Sequence, residues 1–155
     1  MQHEPISADI EDDRPAAMAA IARAARAELE AAFAACPQRP SLDVVRRPEV
    51  GLLMVRGRIG GGGAPFNLGE VTATRAAVRI ESGEVGFACI LGRDREQALL
   101  AAAMDALWQS PTHRGHVETA VLAPVRARLA GEADTVRRRS AATRVEFFTM
   151  VRGEA

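Results

Sequence analysis

The feature that most constrains the fold is an alternating segment at residues 68–80, followed by a short turn and a second apolar segment. Its period of two predicts a strand with Arg75 and Arg79 on one face. The other face then carries Thr72, Thr74, Ala76, Val78 and Ile80. Residues 81–84 are typical of a hairpin turn, with Gly83 suited to a positive φ. Residues 85–91 are apolar at both parities, which predicts a central strand covered on both sides.

Two further strands and one weaker candidate are predicted. Residues 51–59 alternate, with Arg56 and Arg58 on one face. Residues 42–46 are the weaker candidate for a short strand, and residues 143–152 form the last predicted strand. The four glycines at 60–63 break the pattern and favour a flexible loop between strands. An anion cradle of backbone N–H groups is the alternative, but the lysine and Ser/Thr of a nucleotide-binding loop are missing.

Helical periodicity predicts three helices around these strands. The first runs from Pro15 to the residue before Pro37. The second follows an N-cap at Asp94, with Gln97 completing a capping box, and ends near Ser110. Residues 112–117 are predicted as a loop. The last helix begins near Pro124, and its inward residues are Val125, Leu129, Ala133 and Val136.

This order of elements predicts an α+β fold, with a mainly antiparallel sheet of about four strands and helices packed against it. Residues 1–13 are predicted as a disordered acidic tail and residues 14–155 as a single domain, which suits a chain of 155 residues. No apolar stretch approaches the roughly 18–20 residues of a membrane helix. The acidic N-terminus has the wrong charge for a signal peptide, so we expect a cytoplasmic protein.

Composition does not show the excess of positive charge that is typical of nucleic-acid-binding proteins, because 20 acidic and 20 basic residues balance to a net charge of zero. Only residues 121–144 are locally basic, so a nucleic-acid-binding last helix stays a minor alternative. Cys36 and Cys89 form no metal motif and are predicted to be inert, the second of them in a buried strand. His113, His116 and Glu118 could hold zinc, but a solvated loop is favoured there. We see no catalytic nucleophile, and predict no catalytic residue and no metal.

Four arginines are candidate anion contacts: Arg56, Arg58, Arg75 and Arg79. If their strands share a sheet, the guanidinium groups could share a face and bind phosphate or carboxylate of a substrate or a partner. A merely solvated or partner-facing surface is equally supported. The terminal strand has aromatic residues on both faces, which predicts an interface at Phe147, Phe148, Met150 and Arg152.

Three segments together resemble the PhnG family, the G subunit of the bacterial carbon–phosphorus lyase core complex. They are residues 58–63 (RIGGGG), 69–79 (GEVTATRAAVR) and 144–153 (RVEFFTMVRG). The similarity also includes Gly92-Arg93-Asp94 and Ala123-Pro124, and covers residues 14–153.

The resemblance implies a non-autonomous subunit. In that family the G, H, I and L subunits transfer a phosphonate onto the ribose of ATP with release of adenine, forming α-D-ribose 1-methylphosphonate 5-triphosphate from methylphosphonate. The J subunit, a radical enzyme, later cleaves the carbon–phosphorus bond. The resemblance implies MgATP as a substrate of the complex and no cofactor bound by this chain. Partners are then the H, I, J and L type subunits, with self-association of the isolated chain. The alternative is a purely structural subunit without substrate contact.

Overall fold

The computed structural model describes residues 8–60 and 62–142, with side chains from residue 13 onward. Two helices, α1 (Ala8–Ile21) and α2 (Arg26–Ala34), precede a three-stranded sheet formed by β1 (Leu42–Arg58), β2 (Pro65–Ile80) and β3 (Val85–Leu91). Helix α3 (Arg95–Gln109) follows, and then α4 (Arg114–Val117), a π-helical segment (Glu118–Leu122) and α5 (Ala123–Ala142). The sheet order is β1-β2-β3, and both pairings are antiparallel.

The predicted α+β fold with an antiparallel sheet is confirmed, and the described residues form three of the strands. The predicted strand at 143–152 lies outside the described residues. The segments predicted at 42–46 and 51–59 are one long strand, β1, whose register against β2 shifts between Val44 and Glu49. Residues 8–13 belong to α1, whereas the sequence predicts a disordered tail there.

The first predicted helix is two helices, broken at residues 22–25. Side chains distant in the sequence hold this break: Gln97 Nε2 donates to the Ala24 carbonyl at 2.8 Å, and Arg128 Nη2 donates to the Arg23 carbonyl at 3.0 Å. The Ala25 N–H donates to the Glu28 carboxylate at 2.6 Å and begins α2. Periodicity within a segment cannot reveal such partners.

Helix α3 packs on β2 and β3 and forms the centre of the core. Asp94 caps it as predicted, since its carboxylate accepts from the Glu96 and Gln97 N–H groups at 3.1 and 2.9 Å. The Gln97 side chain points to Ala24, so the predicted capping box is wrong. The largest fully buried side chains include Leu29, Val78, Ile80, Ile90, Met104, Leu107 and Trp108.

Two further expectations are wrong. Among the described strands β3 lies at the edge of the sheet and not in its centre, and its outer face exposes Phe87, Cys89 and Leu91. The predicted loop at 112–117 is largely helix, continuous through the π-helical segment with α5. Val125 is buried in α5 as predicted and Leu129 partly so, whereas Ala133 and Val136 are exposed because α5 extends beyond the core.

Candidate binding surface on the hairpin arm and sheet

Strands β1 and β2 extend far beyond the rest of the sheet. Strand β3 pairs with β2 only from Ala73 to Arg79, so residues 65–72 of β2 pair with β1 alone. We call residues 51–58 and 65–72 the hairpin arm. Residues 73–80 of β2, together with β3 and α3, form the sheet base. The sheet base is covered by helix on one side, while both sides of the arm reach solvent.

The two faces of the sheet differ in what covers them. The face carrying Thr74, Val78 and Ile80 packs under α3, and we call it the helix face. The opposite, open face carries Arg75 and Arg79, both exposed as the alternation predicts. Ala73 and Ala77 also lie on this face but are buried among their neighbours.

The four candidate arginines belong to one sheet but do not share a face. Arg75 lies opposite Glu49 of β1, and residues directly opposite each other in a sheet project from the same face. The register shift between Val55 and Arg56 puts the unpaired residue, Leu68, in β2 and not in β1. Strand β1 itself is therefore regular from Glu49 to Arg56, an odd separation of seven residues, so Arg56 projects from the helix face. The two positions are about 23 Å apart along the strand. One anion therefore cannot engage all four arginines.

On the open face, Arg79 already has a carboxylate partner. Its Nη1 lies 3.9 Å from Asp43 Oδ2, and both side chains are largely exposed. Arg75 lies over the backbone of Gly51, where an added Cβ would be 3.5 Å from Arg75 Nη2. Arg75 forms no ion pair with a carboxylate among the described residues, so its guanidinium is available to an outside anion.

Arg56 and Arg58 lie near the end of the arm, about 7 Å apart on the same face. They line a shallow depression together with Gly57 and Pro65. Arg58 Nη1 donates to the Gly63 carbonyl at 3.0 Å, and within residues 8–60 and 62–142 neither arginine has a carboxylate partner. Two unneutralised cations thus lie beside the tip.

The two strands of the arm are joined by a connection that includes Gly60, Gly62 and Gly63, so the predicted loop between strands is confirmed. Gly60 has φ +60°, which favours glycine, and the Gly63 N–H donates to the Ile59 carbonyl at 3.0 Å. A Cβ on Gly63 would lie 2.7 Å from that same carbonyl oxygen. A side chain at residue 63 would therefore clash with the backbone of this connection.

The arm also exposes large apolar side chains, which the sequence analysis missed. Leu52 and Met54 are 60% and 52% exposed on the helix face, beyond the reach of α3. Phe66 and Leu68 are 40% and 66% exposed near the tip, beside Gly57 on the open face. The sequence does indicate this exposure at residues 52–55, which are all apolar. They therefore lack the alternation of a strand with one buried face.

The histidines do not form the zinc site considered as an alternative. His116 Nε2 lies 2.8 Å from the Ala32 carbonyl, and Glu118 accepts from Trp108 Nε1 at 2.7 Å. His113 is buried, with Nδ1 3.8 Å from Cys36 Sγ, so the predicted solvated loop is wrong there. Within the described ranges no group of three or more His, Cys, Asp or Glu side chains could hold a metal ion.

The cysteines differ in environment. Burial raises the pKa of the Cys36 thiol, against a smaller opposing effect of Arg39, which favours the protonated, unreactive form. Cys89 is exposed on β3, so its predicted burial is wrong. Neither cysteine is in a disulfide.

The basic segment around α5 is largely neutralised within the fold. Arg126 pairs with Glu118, Arg128 with Glu28 and Glu132, and both Arg137 and Arg138 with Asp134. This leaves little unpaired positive charge for a nucleic acid backbone. The predicted interface residues Phe147, Phe148, Met150 and Arg152 lie outside the described residues.

A second feature missed from the sequence is the carboxylate of Asp105, buried beside β3. It accepts from Arg14 Nη2 at 2.7 Å, Arg14 Nε at 3.1 Å and the Phe87 N–H at 2.8 Å. Hydrogen bonding to Asp105 raises the pKa of Arg14. The Asp105 carboxylate therefore links α1 to α3 through Arg14. It also accepts a hydrogen bond from a backbone N–H at the outer edge of β3, which would otherwise lack a partner strand.

Comparisons with known proteins agree with this organisation. The family described as phosphonate metabolism protein PhnG matches residues 12–153. A curated relative from Rhizobium meliloti (strain 1021) is 54% identical over 137 residues, which is 88% of this chain and 87% of that protein. It is named alpha-D-ribose 1-methylphosphonate 5-triphosphate synthase subunit PhnG. No helix within residues 8–60 and 62–142 is both long and apolar enough to cross a membrane.

Proposed function

This chain belongs to the PhnG family of phosphonate metabolism proteins, and we propose that it is a subunit of α-D-ribose 1-methylphosphonate 5-triphosphate synthase. The observation that carries the proposal is 54% identity to a subunit of that name over nearly nine-tenths of both chains. The family resemblance predicted from the sequence is thereby confirmed.

The reaction we propose for the complete enzyme joins a phosphonate oxygen to the ribose of ATP while the bond from ribose to adenine breaks. Adenine leaves, and MgATP is the nucleotide substrate of the complex. We expect this chain to act with the H, I and L type subunits and to lie beside the J type subunit of the same system. Because the reaction consumes ATP, the proposal places the chain in the cytoplasm.

We assign this chain a supporting role and no catalytic residue. Its free cations are the feature best suited to the chemistry, since phosphonate, triphosphate and carboxylate are all anions that guanidinium groups bind in pairs of hydrogen bonds. Arg75 is the strongest single candidate, because its guanidinium is exposed and lies over glycine. Arg79 contributes less, since Asp43 already partners it.

Reconstitution tests the proposal directly. The H, I and L type subunits are mixed with MgATP and methylphosphonate, with and without this chain, and adenine release is followed by chromatography. We expect adenine only when this chain is present, and none from this chain alone. Adenine release at the same rate without the chain, or turnover by the pure chain, would contradict the proposal.

Arg75 variants then test the arginine role. Arg75→Ala should leave the fold intact, because a surface substitution costs within about 0.5 kcal/mol. Hydrogen bonds to a charged group contribute about 1.5–3 kcal/mol, so assembly or adenine release should fall roughly 10- to 150-fold. Arg75→Lys should restore only part of the loss. Loss of assembly assigns the arginine to a partner, and loss of adenine release in an assembled complex assigns it to substrate.

The matched control is Arg79→Ala, whose guanidinium has a partner within the chain. It should weaken either readout less than Arg75→Ala does. If both variants assemble and release adenine like the original chain, the arginines of the open face are only solvated and contact neither substrate nor partner.

A further inference from the structure

The hairpin arm has the surface of an interface on both of its faces. Leu52 and Met54 are more than half exposed on the helix face, and Phe66 and Leu68 are exposed on the open side near the tip. Two strands alone are only marginally stable in water, and contiguous exposed apolar side chains mark sites where another molecule binds. The arm therefore lacks a covering layer among the described residues.

The size of the arm fits a substantial contact. About eight residues per strand give a length of about 26 Å, and two paired strands are about 10 Å wide. Covering both faces would bury at least about 500 Å² of this chain, which is more than half of the roughly 800 Å² per partner in a stable interface. Covering a single face would supply only half of that area.

A second copy of this chain is a poor occupant. Two arms packed face to face about a two-fold axis would cover one face of each arm and leave the other apolar face in water. Packing through the helix face would also bring together the unneutralised arginines Arg56 and Arg58 of both copies. A cleft with two walls in a partner protein would cover the apolar side chains on both faces of the arm at once.

We propose that the hairpin arm inserts into a cleft of another subunit of the synthase, with apolar walls and carboxylates near its inner end. The carboxylates would face Arg56 and Arg58, which have no acidic partner among the described residues. This inference rests on the proposed function, because it takes its partner from the same complex.

Two double variants separate the two faces. Leu52→Ser with Met54→Ser removes apolar surface from the helix face, and Phe66→Ser with Leu68→Ser removes it from the open side. The controls are Leu91→Ser on β3 and Val136→Ser on α5, which change apolar residues outside the arm that are at least as exposed as most of the tested ones (73% and 63%). Association is measured by co-purification and size-exclusion chromatography with the other synthase subunits.

We expect each double variant to weaken association at least about tenfold, and both controls to associate normally. Loss from only one double variant would show packing on a flat surface and overturn insertion. Normal association of both double variants would show that the arm is not part of the interface. A separate variant, Arg56→Glu with Arg58→Glu, should also weaken association, and unchanged association would overturn the acidic inner end.

Measurements on the free chain exclude the other occupants. Hydrogen exchange of arm amides should be fast in the free chain and slow in the complex, and Leu68→Ser should leave its unfolding midpoint unchanged. Slow exchange in the free chain would show that the arm is already covered by this chain, and a dimer dissociated by the arm variants would identify a second copy. If the unmodified chain itself fails to support adenine release, the proposed function fails, whatever the arm variants do.

Discussion

The sheet base and the hairpin arm share strand β2, but the base buries small side chains whereas the arm exposes large apolar ones. In the sheet base the buried residues of β2 include Ala73, Ala76 and Ala77, which are small. In the arm, large residues such as Leu52 and Leu68 are exposed. Of these alanines only Ala76 faces α3, and its small side chain lets the helix approach closely, whereas Ala73 and Ala77 lie on the open face. The larger apolar side chains of the arm remain uncovered by the described residues. Stability of the free chain should therefore depend on the base, and association on the arm.

The largest effect expected in the sheet base is that of Gly86→Ala. A Cβ there would overlap the Ala102 carbonyl oxygen and the Ala106 nitrogen, both backbone atoms of α3. Because helix or strand must move, we expect a loss of at least about 4 kcal/mol in the free energy of unfolding. Urea unfolding of the free chain measures it.

Gly131→Ala is the matched control, since nothing lies within 4 Å of its added Cβ on α5. This change should stabilise the chain by about 0.5–1 kcal/mol through helix propensity. Equal midpoints for the two alanine variants would show that α3 does not approach β3 as closely as the structure has it.

A second effect contrasts one leucine in each region. Leu107→Ala, at a fully buried position of α3, should lower the free energy of unfolding by about 2–5 kcal/mol. Leu52→Ala in the arm should lower it by less than about 1 kcal/mol, because the side chain is already largely in water. Similar losses at both positions would mean that the free chain packs its arm, and the contrast between base and arm would disappear.

Sequence reasoning succeeded where a pattern depends on neighbours along the chain. It found the hairpin of β2 and β3, the exposed and buried faces of β2, the cap at Asp94 and the family. It failed where the deciding partner is far away in the sequence. The break at residues 22–25 is held by Gln97 and Arg128, and no local signal contains those contacts.

For the four candidate arginines, the sequence predicted which ones share a face within a strand but not how the two strands are aligned with each other. Alternation within one strand correctly put Arg75 and Arg79 on one face, and Arg56 and Arg58 on one face. Whether two strands present their arginines on the same side depends on the register between them. Here Glu49 opposite Arg75 fixes that register, and it places the two pairs on opposite faces.

A third and smaller effect concerns the edge of the sheet base. Asp105→Asn removes the charge that receives two hydrogen bonds from Arg14, while keeping an oxygen acceptor for the Phe87 N–H. We expect a loss of about 1.5–3 kcal/mol in the free energy of unfolding, typical of hydrogen bonds to charged groups. Hydrogen exchange at Phe87 should remain slow in Asp105→Asn and become fast in Asp105→Ala. Fast exchange in both would show that the charge itself, and not the acceptor, holds this edge.

The smallest effect is a pH dependence in the helical layer beside the base. Accepting a hydrogen bond from the Ala25 N–H, and secondarily from Arg128, lowers the pKa of the Glu28 carboxyl in the folded chain. Its stabilisation is therefore complete above the unfolded pKa, near about 4.3, and is lost as the pH falls through the lower folded value. Because Glu28 is partly exposed, the contribution should stay below about 1 kcal/mol.

Urea midpoints measured between pH 3 and pH 6 would test this. Glu28→Gln should flatten the fall in stability on the acid side, because the unfolded chain no longer takes up a proton that the folded chain refuses. Glu70→Gln is the matched control in the arm, where the carboxylate has no hydrogen bond or ion pair among the described residues. It should retain the acid-side slope of the original chain. If Glu70→Gln flattened the slope and Glu28→Gln did not, acid would be acting on the arm, and the assignment of free-chain stability to the base and its helices would be wrong.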